Sequence, residues 1–152
     1  MGKTPEGFHS ITPYFMVQGA KAAIERYKAA FGAETRMMME MPGTDMVMHG
    51  ELLIGNSMMF ISDPAPGTDR QPPVEGELSS NAFYHYVDDV DTAYARAIEA
   101  GMTGVSAPED MFWGDRTAVL NDGFGYNWTL ACHTREVSEE EMAAAMKNMM
   151  EG

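Results

Sequence analysis

The stretches Tyr14-Phe15-Met16-Val17 and Tyr84-His85-Tyr86-Val87 stand 70 positions apart and repeat one aromatic and apolar pattern. Internal repetition is read before any motif, because a repeated supersecondary unit fixes the topology of both copies. Working outward at the same spacing, Ala20 falls on Val90, Ala23 on Ala93, Ile24 on Tyr94 and Gly55 on Gly125. The two late glycines each open a short apolar run, Ser57–Ile61 and Asn127–Ala131. Strand, helix and late-strand signals keep one spacing, so the chain reads as two copies of one unit, over 8–64 and 79–134.

Within each copy the periods are legible. Ile11–Val17 has strand length and composition, with Pro13 marking an edge or irregular start. Ala20, Ala23, Ile24, Tyr27 and Phe31 then recur at helical spacing, and Gly32 suits the left-handed residue that closes such a helix. Thr35–Met41 and Met46–Ile54 read as strands around the turn Pro42-Gly43-Thr44-Asp45, and Ser57–Ser62 as a fourth strand. In the second copy Ala82–Val87 leads into a helix that Asp88 or Asp89 caps. That helix carries Val90, Ala93, Tyr94, Ala97 and Ile98 and ends at Gly101. Strands are predicted near Thr103–Ala107, Arg116–Leu120 and Asn127–Cys132, so each copy is βαβββ and the class is α+β. The Pro- and Gly-rich segment 65–78 is a linker. Ser138 and Glu141 form a capping box that opens a C-terminal helix over 138–150. Its Met142, Met146, Met149 and Met150 lie at helical spacing, a stripe that would pack on the body or on a second subunit.

Composition removes whole classes of function. A chain of 152 residues is one domain's worth, and that size buries roughly 70% of its unfolded surface. With 45% apolar and 22% charged residues it is not a disordered segment. Ten Lys+Arg against 23 Asp+Glu leave −13, which repels nucleic-acid phosphates and anionic membranes alike. The lone cysteine, Cys132, excludes a disulfide framework and a Cys-rich zinc site. No apolar run approaches the roughly 20 residues of a membrane helix. The opening MGKTPEGFHS has no apolar signal core. The expectation is a soluble, cytoplasmic protein.

Several segments together carry a family resemblance: ITPYFMV (11–17), YKAAFGAE (27–34), HGELLIGNSMMFISD (49–63), VDDVD (87–91), GDR (114–116), DGFGYNWTL (122–130) and EVSEEEM (136–142). In this order they resemble the vicinal-oxygen-chelate superfamily of glyoxalases, bleomycin-resistance proteins and extradiol dioxygenases, and within it the PhnB-like branch. The resemblance implies curved mixed sheets around a small-molecule cavity, and a homodimer in which the halves pair within one chain or across two. Metal-using members take one ligand from the first and one from the last strand of each half. Those positions are expected at Thr12 and Met59, and at Ala82 and Thr129. Two hydroxyls, a thioether and a methyl do not replace the imidazoles and carboxylates that hold a dication, so no metal cofactor is expected.

The same strand phase names a cavity lining. Thr12, Tyr14, Met16, Tyr84 and Tyr86 are expected from the first strands, and Met59, Ile61 and Thr129 from the last. With Met48, Leu52 and Ile54 under the helix, His49 and Glu51 turn into the cavity as i, i+2 neighbours. A carboxylate beside an imidazole is either an acid–base pair or an ion pair that stiffens the sheet. His85 reads as a hydrogen-bonded structural histidine, while His9 and His133 lie beyond the strands and face solvent. Trp113 and Arg116 lie on a segment suited to a lid, with Arg116 either gripping an anion or pairing with Asp115 or Glu109. Gly123 stands where family members have proline, which suggests a looser turn. The 16 methionines show no repeated Met-x-x-Met series beside histidines, so they suit an adaptable apolar surface better than a copper site.

Two functions stay open. One is a binding protein that holds a small molecule without transforming it, the acidic chain favouring a neutral or cationic ligand. The other is a lyase or isomerase that uses His49 and Glu51 as acid and base, or as metal ligands.

Overall fold

The first helical stretch buries Ala20, Ala23, Ile24, Tyr27 and Ala30 on one side, and that stripe needs a sheet to lie on. The computed structural model describes residues 2–152 and supplies the sheet. Strand β1 (Tyr14–Met16) and helix α1 (Ala20–Phe31) are followed by β2 (Glu34–Glu40), β3 (Val47–Ile54) and β4 (Ser57–Ser62). The second copy runs β5 (Phe83–Tyr86), α2 (Val90–Glu99), β6 (Thr103–Asp110), β7 (Asp115–Asn121) and β8 (Asn127–His133). Helix α3 (Glu139–Glu151) ends the chain. The sheets are ordered β1-β4-β3-β2 and β5-β8-β7-β6, each with one parallel pair and two antiparallel ones. This is the expected α+β pair of βαβββ units.

Local chemistry explains the ends of the elements. Gly32 takes φ 67° and sends its N–H to the Lys28 carbonyl, which only a residue without Cβ does cheaply. Asp89 caps α2 by accepting from the Thr92 N–H, and Ser138 caps α3 by accepting from that of Glu141. Helix α1 starts at Gly19, which has no capping side chain. Buried Asp63, just past β4, substitutes from a distance, with Oδ1 accepting from the N–H groups of Gly19 and Ala20.

Both sheets turn their helix-side faces to one core. Phe83 lies 4.5 Å from Trp128 and 5.1 Å from Phe15, and Tyr27 lies 5.2 Å from Trp128, all between ring centroids. The halves are tied through Asp122, which is fully buried. Its carboxylate accepts from the Tyr27 hydroxyl (2.6 Å), the Trp128 indole (3.1 Å) and the N–H groups of Phe124 and Tyr126. A buried charge is tolerable when its lone pairs are satisfied in this way. The 122–126 turn is therefore firmly bonded, not the looser turn that Gly123 suggested.

Three other expectations need correction. Residues 11–13 precede β1, because Pro13 cannot donate to a ladder, although its carbonyl accepts from the Phe60 N–H. Met48 is 45% exposed, and Val47 takes the buried place where β3 begins beside a register shift. Strand β6 reaches Asp110 with two such shifts, and as an edge strand it accommodates Pro108. No residue of α3 is fully buried, which leaves a second subunit as the alternative that its methionine stripe fits. Among the described residues no helix is long and apolar enough to cross a membrane.

Candidate functional site

Opposite the shared core, each sheet leaves its second face open. On the first, alternation along β3 brings His49 and Glu51 out together, with Nε2 and Oε1 3.2 Å apart. The Tyr14 hydroxyl of β1 lies 2.9 Å from His49 Nδ1. With Nε2–H donating to the carboxylate, Nδ1 is the acceptor for the phenol, which makes a phenol–imidazole–carboxylate relay. Phe60 of β4 stands edge-on to His49 at 4.8 Å and to Tyr14 at 5.5 Å. Met37 and Met39 of β2 pair with Glu51 and His49, so their thioethers flank the relay.

The second open face carries a different chain of charge. Tyr84 of β5 donates to Asp115 Oδ2 (2.8 Å), and His133 Nδ1 donates to Asp115 Oδ1 (2.9 Å). His133 Nε2 donates in turn to Glu136 (3.0 Å). An imidazole donates from both nitrogens only when protonated, and the carboxylates of Asp115 and Glu136 raise the His133 pKa above its ordinary value. The His133 bond holds the Asp115 carboxyl below the usual range, against the opposing effect of burial. Burial, with Asp115 adding to it, raises the Tyr84 hydroxyl. This cluster was missed in the sequence. Asp115 and His133 meet only because β7 and β8 pair in one register, and His133 is bonded on both sides instead of being left to solvent.

The register also moves Met59. It pairs with Leu52 on the helix side, while Phe60 pairs with Glu51 and Tyr14 on the open side. The cause is loop length. Ile54 and Ser57 close a two-residue turn with Gly55 at φ 60°, whereas Asn121 and Asn127 enclose five residues. Aligning Gly55 with Gly125 therefore shifts β4 by one residue, which reverses every side chain on it. Ile61 is turned to the core in the same way. The positions to which the family resemblance assigns metal ligands then carry Thr12, Phe60, Ala82 and Thr129, a set no better suited to a dication than the one with Met59. Among the described residues no three His, Cys, Asp or Glu side chains gather into a metal-holding group.

The other candidates are dispersed. Thr12, Met59, Tyr84 and Tyr86 line a cleft of about 700 Å³ between the halves. Met16 and Tyr14 line a neighbouring one of about 550 Å³. Thr129 is on the second open face, paired with Tyr84 and Val119. Trp113 packs edge-on against Phe112 and lines neither cleft. Arg116 pairs with Cys132 on the helix side and spans both oxygens of Asp91, with Asp110 as a third acceptor. It is engaged by α2 and not by Asp115 or Glu109. His85 differs from the bonded histidine expected, since its buried Nδ1 has no partner among the described residues and burial pushes its pKa down.

Known proteins resemble this chain along most of its length. An uncharacterised protein of Mycobacterium bovis is 34% identical over 147 residues, covering 94% of this chain and 95% of that one. Among solved structures, TioX from Micromonospora has a TM-score of 0.66 at 21% identity, covering 82% of this chain and 98% of its own. A Bacillus cereus PhnB protein gives 0.62 at 16%, covering 80% and 98%. The fosfomycin resistance protein FosX of Listeria monocytogenes, complexed with Mn(II) and sulfate, also gives 0.62, at 13% identity and covering 89% and 97%. The profile of the Glyoxalase/Bleomycin resistance protein/Dioxygenase superfamily matches residues 7–130, and the chain belongs to that superfamily.

Proposed function

We propose that this protein binds a small molecule on the open face around Tyr14, His49, Glu51 and Phe60, without a resident metal. The observation that carries the reading is the set Thr12, Phe60, Ala82 and Thr129, none of which offers an imidazole or carboxylate. Around it lies a face of adaptable and aromatic side chains, Met37, Met39, Phe60 and Tyr14, suited to a flat or greasy ligand. Glu51 and the acidic surface favour a neutral or cationic molecule at this face. In this reading a homodimer closes the chamber. Met37 and Met39 on the first sheet and Tyr84 and Tyr86 on the second are each between 46% and 65% exposed, and contiguous apolar patches of this kind mark interfaces. The methionines of α3 add apolar surface to the assembly. Such a protein would act in the cytoplasm.

A second reading is favoured by the relay itself. A phenol bonded to an imidazole that leans on a carboxylate can pass a proton to or from a ligand, which suits a metal-free lyase or isomerase. One experiment separates the two. A panel of neutral, cationic and anionic aromatic molecules is screened by thermal shift, and each hit is followed by mass spectrometry for conversion. Binding lost in His49→Ala, with no product formed by the native chain, supports the binding protein. Product that disappears in His49→Ala and in Tyr14→Phe supports the enzyme. Hits that bind both variants as well as the native chain would sink both readings.

A further inference from the structure

The cleft of about 550 Å³ between the halves has an unusual charge for so acidic a chain. Its lining includes Ile11, Met16, Phe83 and Tyr126 as apolar wall, the amides of Gln71 and Asn81, and one charged side chain, Arg70. Among the described residues no carboxylate lines it. Arg70 belongs to the linker and lies over the Tyr14 ring, 4.5 Å from its centroid, a cation–π contact that holds the guanidinium at the edge of the cleft.

The other five arginines are engaged. Arg36, Arg116 and Arg135 pair with carboxylates, and Arg26 and Arg96 donate to the carbonyls of Asp122 and Ala29. Among the described residues the Arg70 guanidinium has neither kind of acceptor, although the chain carries 23 acidic residues. A planar fork with five donors and an aromatic wall beneath it matches one oxyanion joined to an apolar body. From this we infer a second binding site in the cleft, specific for an amphiphilic carboxylate, with Arg70 holding the carboxylate and Phe83, Met16 and Tyr126 taking the apolar part. The site shares the Tyr14 ring with the open face but does not use His49, Glu51 or Phe60, and it rests on the Arg70 guanidinium and not on the function proposed above.

Calorimetric titration tests it with benzoate, 1-naphthoate and octanoate, each against its own primary amide. The native chain is expected to bind at least one carboxylate about tenfold more tightly than its amide. Arg70→Gln should erase that preference and leave amide binding unchanged, because Arg70 is exposed and its loss does not disturb the core. His49→Ala should keep the preference, which separates this site from the open-face site. Failure of all three carboxylates to exceed their amides, or a preference that survives in Arg70→Gln, would overturn the assignment.

Discussion

On the first sheet the Tyr14 hydroxyl bonds to an imidazole that leans on a carboxylate, while on the second the Tyr84 hydroxyl bonds to a carboxylate that leans on an imidazole. The tyrosines occupy equivalent positions of the repeat, so the difference lies in their partners. A phenol bonded to an imidazole nitrogen can exchange its proton with that nitrogen. Next to a carboxylate the proton is pinned, and Asp115, only 5% exposed, ties its own strand β7 to β5 and β8. Under the proposed function the halves divide labour, the first face taking the bound molecule and the second holding its strands in place.

Removing Asp115 should give the largest effect. Asp115→Ala strands the Tyr84 hydroxyl and one nitrogen of His133, and is expected to cost about 1–3 kcal/mol of unfolding free energy in urea. Glu51→Ala on the first sheet should cost less, since Glu51 accepts one side-chain hydrogen bond where Asp115 accepts two. Equal losses would end the division of labour. His49→Ala should instead weaken a ligand found by screening about tenfold, or 1.4 kcal/mol, with little change in melting temperature.

The tyrosines sharpen the contrast at smaller scale. Tyr84→Phe leaves an Asp115 oxygen without its donor and should destabilise by about 1 kcal/mol. Tyr14→Phe should be nearly neutral for stability, and a double-mutant cycle should find coupling for Tyr84 with Asp115. The smallest effect is in pH dependence. The folded pKa of His133 lies above its unfolded value, so its contribution to stability is complete below the unfolded pKa and fades as pH rises through the folded one. For Asp115, held low, the contribution is present above the unfolded pKa and fades as pH falls through the folded one. His85, lowered by burial, opposes folding when it is forced to protonate in acid. Proton NMR should therefore find His133 titrating above the ordinary imidazole value and His85 below it.

Much of this was legible in the chain because it is local. The helical stripe of α1, the Asp89 and Ser138 caps and the pairing of His49 with Glu51 depend on residues a few positions apart. What the sequence concealed depends on strand register. Phe60 replaced Met59 on the open face because two hairpin loops differ in length, and glycines of similar context aligned there without being structurally equivalent. Arg116 was visible as a cation, but its direction follows from pairing with Cys132. Asp63 accepts from N–H groups 16 to 44 positions away and Asp122 from the Tyr27 hydroxyl 95 positions away, so no motif announces those bonds.

We have proposed that the face around His49 works without a resident metal. Elemental analysis of protein purified without a His tag, from medium supplemented with Mn, Fe, Ni and Zn, tests it most directly. The expected result is each metal far below one per chain, with ligand binding unchanged after chelator treatment. A stoichiometric ion retained by the native chain and lost from His49→Ala would contradict it.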